Sequence, residues 1–127
     1  MVEKDNLIIK LTLEFSILIV EYCEDLEVKR KYVISKQLLK SGTSIGANTR
    51  EAQNAESKAD FIHKLKIALK EVEETEYWIE ICKLSKNYPN PEKLEEKIKS
   101  IKNILSKIII TSKVKSSSNS QIYKSSN

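Results

Sequence analysis

The chain is predicted to be all-α, an antiparallel up-down-up-down four-helix bundle, and three observations lead to this prediction. It contains only two glycines and two prolines, too few turn-forming residues for a β-rich fold. Charged residues make up 31% of it, with Lys, Glu, Leu and Ile dominant, which is typical of long, surface-exposed helices. In three segments the apolar residues recur every three or four positions, the spacing of one helix face.

The first two helices are predicted at about residues 5–26 and 29–54. The first has a core stripe at alternating spacings of three and four residues, consisting of Ile8, Leu11, Phe15, Leu18 and Tyr22.

The third helix, at about residues 57–86, begins with a capping pattern in which the Ser57 hydroxyl can accept a bond from a free backbone N–H near Asp60. Its core stripe consists of Phe61, Leu65, Ala68, Val72, Thr75, Ile79 and Cys82. Pro91 is well placed to start the fourth helix. The stripe of that helix consists of Leu94, Ile98, Ile101, Leu105 and Ile108.

The domain organisation follows from the short connections and from a change in composition. Connections of a few residues make neighbouring helices antiparallel, so residues 1–111 are expected to form the bundle. Residues 112–127 contain seven serines together with lysine and asparagine, and this segment is predicted to be a disordered tail.

Several functional classes are disfavoured by what the sequence lacks. No window has the roughly 18 uninterrupted apolar residues of a membrane span. Cys23 and Cys82 lack metal-site spacing and are expected to be reduced packing residues of a cytoplasmic protein, with a disulfide as the alternative.

His63 is the only histidine, which argues against catalytic triads and metal sites, so no enzymatic activity and no cofactor are expected. Lys58 and His63 have the spacing of the Arg-x4-His pair of HEPN-type ribonucleases, with lysine in place of arginine, and this is kept as the enzymatic alternative.

Two helices carry more apolar surface than an isolated bundle needs. The first helix has a second stripe nearly opposite Phe15, and the third has apolar residues to one side of its core stripe. A helix that is apolar on two faces is normally covered on both, which predicts an oligomer interface. The alternative is a few tolerated surface hydrophobics. The candidate interface residues are Ile9, Leu13, Ile17, Val20, Ile67, Trp78 and Ile81.

The middle of the second helix has an unusual composition. Gly42 and Gly46 lie on one side of it, although glycine costs about 1 kcal/mol relative to alanine inside a helix. Beside them runs a polar seam, formed by Gln37, Ser41, Ser44 and Asn48. This pattern predicts close approach of a neighbouring helix, with small polar groups hydrogen-bonded across the contact. A phosphate-binding glycine loop is disfavoured, because no Gly-Lys-Ser/Thr follows.

These residues resemble a known family. The run Gln37-Leu-Leu-Lys-Ser-Gly-Thr-Ser-Ile-Gly-Ala-Asn48 with Glu51-Ala52, followed by Ser57-Lys-Ala-Asp-Phe-Ile-His-Lys-Leu65 and Ala68-Leu-Lys-Glu-Val-Glu-Glu-Thr-Glu-Tyr-Trp78, is similar to helices 2 and 3 of the 23S rRNA intervening-sequence proteins. The resemblance covers about residues 7–110. It implies a four-helix bundle without enzymatic activity that assembles as a ring-like homopentamer. Accessory proteins of diversity-generating retroelements are similar, and they bind nucleic acid and a reverse transcriptase. Thr49 departs from the pattern, which usually has an apolar residue there, and is expected to weaken this part of the core.

The net charge of +4 hides a strong segregation along the chain. Residues 97–127 contain seven lysines and no acidic residue. Antiparallel packing would bring the lysines at the end of helix 4 beside the first half of helix 3, which carries Lys58, Lys64, Lys66 and Lys70. We expect weak, salt-sensitive and sequence-blind contact with RNA or DNA. The alternatives are a solvated helical surface and a protein-interaction module. The candidate contacts are Lys58, Lys66, Lys70, Lys102, Lys107 and Lys113.

Overall fold

The computed structural model describes the backbone of residues 3–126 and the side chains of residues 7–114. It contains four α-helices, and the described backbone has no β-strand. The helices are α1 (Glu3–Val28), α2 (Tyr32–Gln53), α3 (Lys58–Leu84) and α4 (Glu92–Ser126). The predicted all-α class is therefore confirmed.

The helices occupy the four corners of a square. In the described residues the backbones of α1 and α3 each lie close to those of α2 and α4, whereas the backbones of the diagonal pairs lie farther apart. The order of contacts shows that neighbours are antiparallel. Along α3 and α4, Lys83 Nζ lies 3.0 Å from Glu95 Oε2, and Glu76 Oε1 lies 2.9 Å from Lys102 Nζ. Residues earlier in α3 thus meet residues later in α4, which confirms the up-down-up-down arrangement.

The core lies along the axis of the square, and all four helices contribute to it. The predicted stripes of α3 and α4 are buried except for Phe61, which is half-buried. In α1 the prediction is only partly right, because Leu11 and Leu18 are half-buried. The inward line of α1 runs instead through a set that includes a threonine. Its members are Ile8, Thr12, Phe15, Ile19, Tyr22, Cys23 and Leu26.

Three short links join the helices and account for the observed boundaries. The α1–α2 link contains Arg30, whose φ of 62° lies in the left-handed region, so α2 begins at Tyr32 and not at residue 29. The α2–α3 link ends at Ser57, whose side chain accepts a hydrogen bond from Asp60 N at 3.0 Å. This confirms the predicted cap. The α3–α4 link contains Asn87 with a φ of 65°, a conformation that asparagine tolerates better than arginine does.

The last helix continues past the predicted start of the tail. Ser112 is buried at 8% exposure, so the packed surface of α4 reaches at least this residue. The backbone of α4 is helical through Ser126. The side chains of residues 115–127 lie outside the described part of the chain. The disorder predicted for residues 112–127 therefore stays a prediction.

Candidate nucleic-acid interface

The two glycines of α2 lie against α1, as the sequence predicts. A Cβ atom added to Gly42 would stand 2.8 Å from Cδ1 and Cγ1 of Ile19, which is closer than real contacts allow. A Cβ atom added to Gly46 would stand 3.4 Å from Thr12, a distance that a small adjustment accommodates. The close approach of α1 and α2 is therefore tightest at Gly42.

The polar seam of α2 faces α3, but only one of its members bonds across the contact. Ser41 is fully buried, and its Oγ lies 2.9 Å from Thr75 Oγ1. Ser44 instead donates to the Lys40 carbonyl at 2.6 Å, and Asn48 donates to the Ser44 carbonyl at 2.8 Å. The expectation of cross-helix bonds is thus wrong for Ser44 and Asn48. Their short side chains lie beside carbonyls of their own helix, which are free acceptors at close range.

A second buried polar contact was not recognised from the sequence. The hydroxyls of Thr12 and Thr49 lie 3.3 Å apart, and both residues are almost fully buried between α1 and α2. Thr49 Oγ1 also donates to the Gly46 carbonyl at 2.8 Å. Buried hydroxyls are tolerated when they have hydrogen-bond partners, so Thr49 has a paired environment at a position where an apolar residue was expected. The sequence feature that could have revealed this contact is the polar Thr12 within an otherwise apolar stripe.

The candidate lysines differ in what surrounds them. Lys58, Lys66, Lys70, Lys107 and Lys113 are exposed. Lys102 forms an ion pair with Glu76 at 2.9 Å, which raises the pKa of Lys102. Lys64, at the start of α3, lies 3.7 Å from Glu51 of α2. The charge of Lys102 is therefore largely matched within the protein.

Lys66 of α3 and Lys113 of α4 lie towards the adjacent ends of their antiparallel helices, and both side chains are exposed. The amino group of Lys66 lowers the pKa of Lys113, because two nearby cations disfavour each other's charged form.

The residues of the enzymatic alternative, Lys58 and His63, are both exposed on α3. The described residues contain no group of three or more His, Cys, Asp or Glu side chains placed to hold a metal ion.

The candidate assembly residues lie on two corners of the square. On α1, Leu13, Ile17 and Val20 are 48%, 52% and 41% exposed, and Ile9 is half-buried. On α3, Ile67, Trp78 and Ile81 are all half-buried.

The α3 surface has two further exposed members that the sequence reasoning missed, Tyr77 at 60% and Leu84 at 76% exposure. The sequence feature that could have identified these two residues is their position on the outer side of α3. Among the described residues, the buried Nε1 of Trp78 has no hydrogen-bond partner.

The opposite end of the bundle holds a buried cluster of weak acids. Tyr22 Oη donates to the Pro89 carbonyl at 2.7 Å, and the Cys23 thiol lies 3.5 Å from the Ser35 carbonyl. Burial raises the pKa of Cys23 to about 11, although the bond to Ser35 partly offsets this. Burial also raises the pKa values of Tyr22 and Cys82, both of which stay protonated at neutral pH. Cys23 and Cys82 are free thiols.

Comparisons with known proteins agree with this architecture. In the described part of the chain no helix is both long and apolar enough to span a bilayer. A crystal structure of a protein with unknown function, from the S23 ribosomal protein family of Bacteroides thetaiotaomicron VPI-5482, is similar at 46% identity and a TM-score of 0.79. The match covers 84% of this chain and 97% of that chain. Comparison with curated proteins gave no match. The family model of the 23S rRNA-intervening sequence protein matches residues 4–110, and the chain belongs to this family.

Proposed function

We propose that the protein is a non-enzymatic, oligomeric helical scaffold that contacts the phosphate backbone of RNA or DNA through lysines at one end of the bundle. The observation that carries this proposal is a group of exposed lysines at that end, which comprises Lys58, Lys66, Lys70, Lys107 and Lys113. The described α4 has no acidic residue from position 97 onward to offset it. We call this end, where α3 begins and residues 107–114 lie, the lysine end.

The chemistry of the lysine end supports backbone contact more than base recognition. Its exposed candidates are lysines, whose compact charges attract phosphate without the planar geometry that reads base edges. Tyr77, the most exposed aromatic residue of α3, lies in the half of the helix away from this end. Stacking on bases would require aromatic side chains among the lysines. Binding should therefore be insensitive to sequence and should weaken as salt rises.

The two apolar surfaces support assembly into an oligomer. Because α1 and α3 occupy diagonal corners, their outer faces point away from each other. Two different patches on opposite sides can join head to tail, and such contacts close into rings when the rotation allows. The family resemblance favours five subunits. Replacing Leu13 and Ile17 by glutamate should reduce the mass found by light scattering from several times 14.6 kDa to smaller species. A monomeric unmodified protein would contradict the proposal.

The absence of enzymatic activity is supported by the lysine at position 58, where the HEPN-type pair has an arginine, whose planar fork suits a phosphate transition state better. Metal-independent RNA cleavage that disappears in His63→Ala would contradict this part of the proposal and establish the HEPN-like alternative.

Nucleic-acid contact is tested by reversing charge at one end and then at the other. In the first variant Lys66, Lys70, Lys107 and Lys113 become glutamate. In the control, four exposed lysines nearer the opposite end become glutamate, which changes the net charge equally; these are Lys29, Lys36, Lys86 and Lys93. Only the first variant should lose binding of a labelled RNA, with helicity and mass unchanged. Equal losses in both variants would show that net charge alone is responsible.

The second candidate function is protein interaction without nucleic acid, favoured by the exposed apolar side chains of α1. A reverse transcriptase is the partner that the resemblance to retroelement accessory proteins suggests. In this case nucleic-acid binding would be absent or unaffected by salt, whereas the proposed contact should lose affinity steadily as salt increases.

A further inference from the structure

The side of the bundle formed by α1 and α2, which we call the α1–α2 side, exposes apolar side chains from both helices. Tyr32 and Leu39 of α2 are 52% and 38% exposed. Each lies three residues before a residue that packs against α1, namely Ser35 and Gly42, so both lie at the outer edge of α2 beside α1. The adjoining outer surface of α1 is formed by Ser16, Ile17, Val20, Glu21 and Glu24.

The opposite side, formed by α3 and α4 and here called the α3–α4 side, contains a groove of about 280 Å³ with an apolar floor. Ile79 and Ile98 are buried beneath this groove, and Leu84, which is 76% exposed, forms part of its wall. Tyr77 lies two turns before Leu84 on the same face of α3 and is 60% exposed. The bundle therefore presents apolar side chains on two sides that face in opposite directions.

The charges beside these two apolar surfaces are arranged so that one side complements the other. On the α1–α2 side the acid is Glu24 of α1, and the cation is Lys36 of α2, one turn before Leu39. On the α3–α4 side the acid is Glu80 of α3 and the cation is Lys99 of α4, and both line the groove. All four charged side chains are exposed, and none of them forms an ion pair within the described residues. Since α4 is next to α1 and α3 is next to α2 in the square, stacking one side on the other brings acid to cation at both helices.

The four charges also lie at matching heights along the bundle. Lys36 is four residues from the start of α2, and Glu80 is four residues from the end of α3, at the same end of the bundle. Glu24 is four residues from the end of α1. Lys99 lines the same groove as Glu80 and is therefore close to it in height. All four thus lie about 6 Å from the helix ends, because a helix rises 1.5 Å per residue.

We propose that a second copy of this chain covers the α1–α2 side with its own α3–α4 side, with the bundle axes of the two copies parallel and at the same height. Lys36 then faces Glu80 of the second copy, and Glu24 faces Lys99 of the second copy. Leu39 meets Tyr77 of the second copy, because each is seven residues from its helix end. The proposal rests on the oligomeric part of the proposed function and names the two surfaces that meet. Two different surfaces can repeat the contact from copy to copy and close it into a ring.

The contact is closest in the half of the bundle that carries these four charges. Arg50 lies eleven residues after Leu39 on the same face of α2, and Lys66 lies eleven residues before Tyr77 on the same face of α3. In the stacked arrangement these two cations come to the same height, and like charges disfavour close approach. The contact therefore opens towards the lysine end and leaves the exposed lysines there accessible to nucleic acid.

Charge reversal in the full-length protein tests this contact. Lys36→Glu and Glu80→Lys should each raise the concentration needed for half-maximal assembly about tenfold or more, because each places like charges opposite one another. The double variant Lys36→Glu/Glu80→Lys restores opposite charges and should assemble nearly as well as the unmodified protein. Sedimentation velocity over a range of concentrations measures assembly, and circular dichroism checks that helicity is unchanged.

The matched control reverses two exposed charges on a different side of the bundle. Lys93 lines the groove between α1 and α4, and Glu96 lies one turn later on the same face of α4. Lys93→Glu and Glu96→Lys change the net charge by the same amounts as the test variants. They should change the concentration for half-maximal assembly by less than about twofold.

The outcomes separate this contact from the proposed function. If the unmodified protein is monomeric, the oligomeric part of the proposed function falls and the contact falls with it. If the protein assembles but the Lys36 and Glu80 variants match the controls, the contact is wrong and the oligomeric scaffold stands. The contact is also overturned if only Lys36→Glu weakens assembly, since the α1–α2 sides of two copies would then meet each other. A double variant that assembles no better than the single variants would show that Lys36 and Glu80 do not face each other.

Discussion

At the end of the bundle where α1 leads into α2 and α3 leads into α4, buried polar groups form hydrogen bonds, whereas the lysine end is marked by exposed cations. We call the first the loop end. There Tyr22 bonds to the Pro89 carbonyl at 2.7 Å, and Lys83 pairs with Glu95 at 3.0 Å. The Lys31 ammonium also lies 5.2 Å from the centre of the Tyr88 ring. At the lysine end Lys64 lies 3.7 Å from Glu51, and the remaining side chains of note are exposed lysines, namely Lys66, Lys70, Lys107 and Lys113.

The two ends differ in what their polar groups do. Those of the loop end stabilise the fold by bonding to one another, and the charges of the lysine end face solvent. Natural sequences usually satisfy local rules of charge and hydrogen bonding, and departures from them concentrate at functional sites. The loop end follows the rules, with a buried hydrogen bond at Tyr22 and a matched ion pair between Lys83 and Glu95. The lysine end departs from them at its surface, where the energetic cost is low and a ligand can reach it.

The largest expected effect is on the loop end at alkaline pH. A thiol such as Cys23 titrates near 9 in the unfolded chain and near 11 in the fold, so the folded state prefers the protonated form. This contribution is complete below pH 9 and is lost as pH rises through 11. The free energy of unfolding should therefore drop by about 2–3 kcal/mol from Cys23 over this range. Tyr22 and Cys82 act in the same direction.

Urea unfolding at pH 8 and pH 11 measures this drop, and Cys23→Ala should make it smaller. An equal drop in Cys23→Ala would show that the thiol is not responsible. At the lysine end the sign is opposite, because Lys113 has a lowered pKa and its repulsion from Lys66 is relieved as pH rises. Hydrogen exchange should therefore show the first loss of protection near the loop end.

The next effect compares the two glycines, of which Gly42 is nearer the loop end. Gly42→Ala should destabilise the fold by about 1–2 kcal/mol, since overpacking against Ile19 exceeds the gain in helix propensity. Ile19 is β-branched and has little freedom to move aside. Gly46→Ala should be neutral or stabilising by up to about 1 kcal/mol, because its Cβ would stand 3.4 Å from Thr12. The denaturant midpoints of the two variants test this prediction. Equal midpoints would show that Gly42 is packed no more tightly than Gly46.

A smaller effect is expected from the hydroxyl of Tyr22. Tyr22→Phe keeps the ring but removes the bond to the Pro89 carbonyl, which should cost about 0.5–1.5 kcal/mol. Tyr77→Phe is the control, because Tyr77 is 60% exposed and its hydroxyl is accessible to water. Calorimetry should find a lower melting temperature for the first variant only. No difference between the two variants would show that the bond adds nothing to stability.

The smallest effect comes from matching the charges at the lysine end. Lys66→Glu replaces the positive charge that lowers the pKa of Lys113 with a negative one, so the melting temperature should rise slightly and the pKa of Lys113 should rise as well. Lys66→Gln should fall between the unmodified protein and Lys66→Glu, since it removes repulsion without adding attraction. A lower melting temperature in Lys66→Glu would mean that the two lysines do not repel in the folded protein.

Much of the fold was predictable because periodic apolar residues identify the inward face of a helix. This holds best for α3 and α4, whose stripes are buried nearly as predicted. It holds less well for α1, because its apolar residues occupy two faces and Thr12 is part of the inward line. A threonine is read as polar from sequence, and only its pairing with Thr49 shows why it is buried.

The candidate site was predictable in location but not in detail. The concentration of lysines at one end follows from the order of the helices. It does not distinguish Lys102, which is paired with Glu76, from Lys66 and Lys113, which are exposed. Periodicity gives the direction in which a side chain leaves its helix. It contains no information about which residue of the neighbouring helix lies opposite.

The sequence by itself determined the four helices, their antiparallel order, the close approach at Gly42 and the end at which lysines collect. These features depend on interactions between residues near each other in the chain, or on how short the links are. Only the tertiary structure decided that Ser41 bonds to Thr75 while Ser44 and Asn48 do not, and that Lys102 pairs with Glu76. The reason is physical, since the relative axial position of two packed helices is set by the shape of the whole core. A shift of one residue, about 1.5 Å, changes which side chains meet.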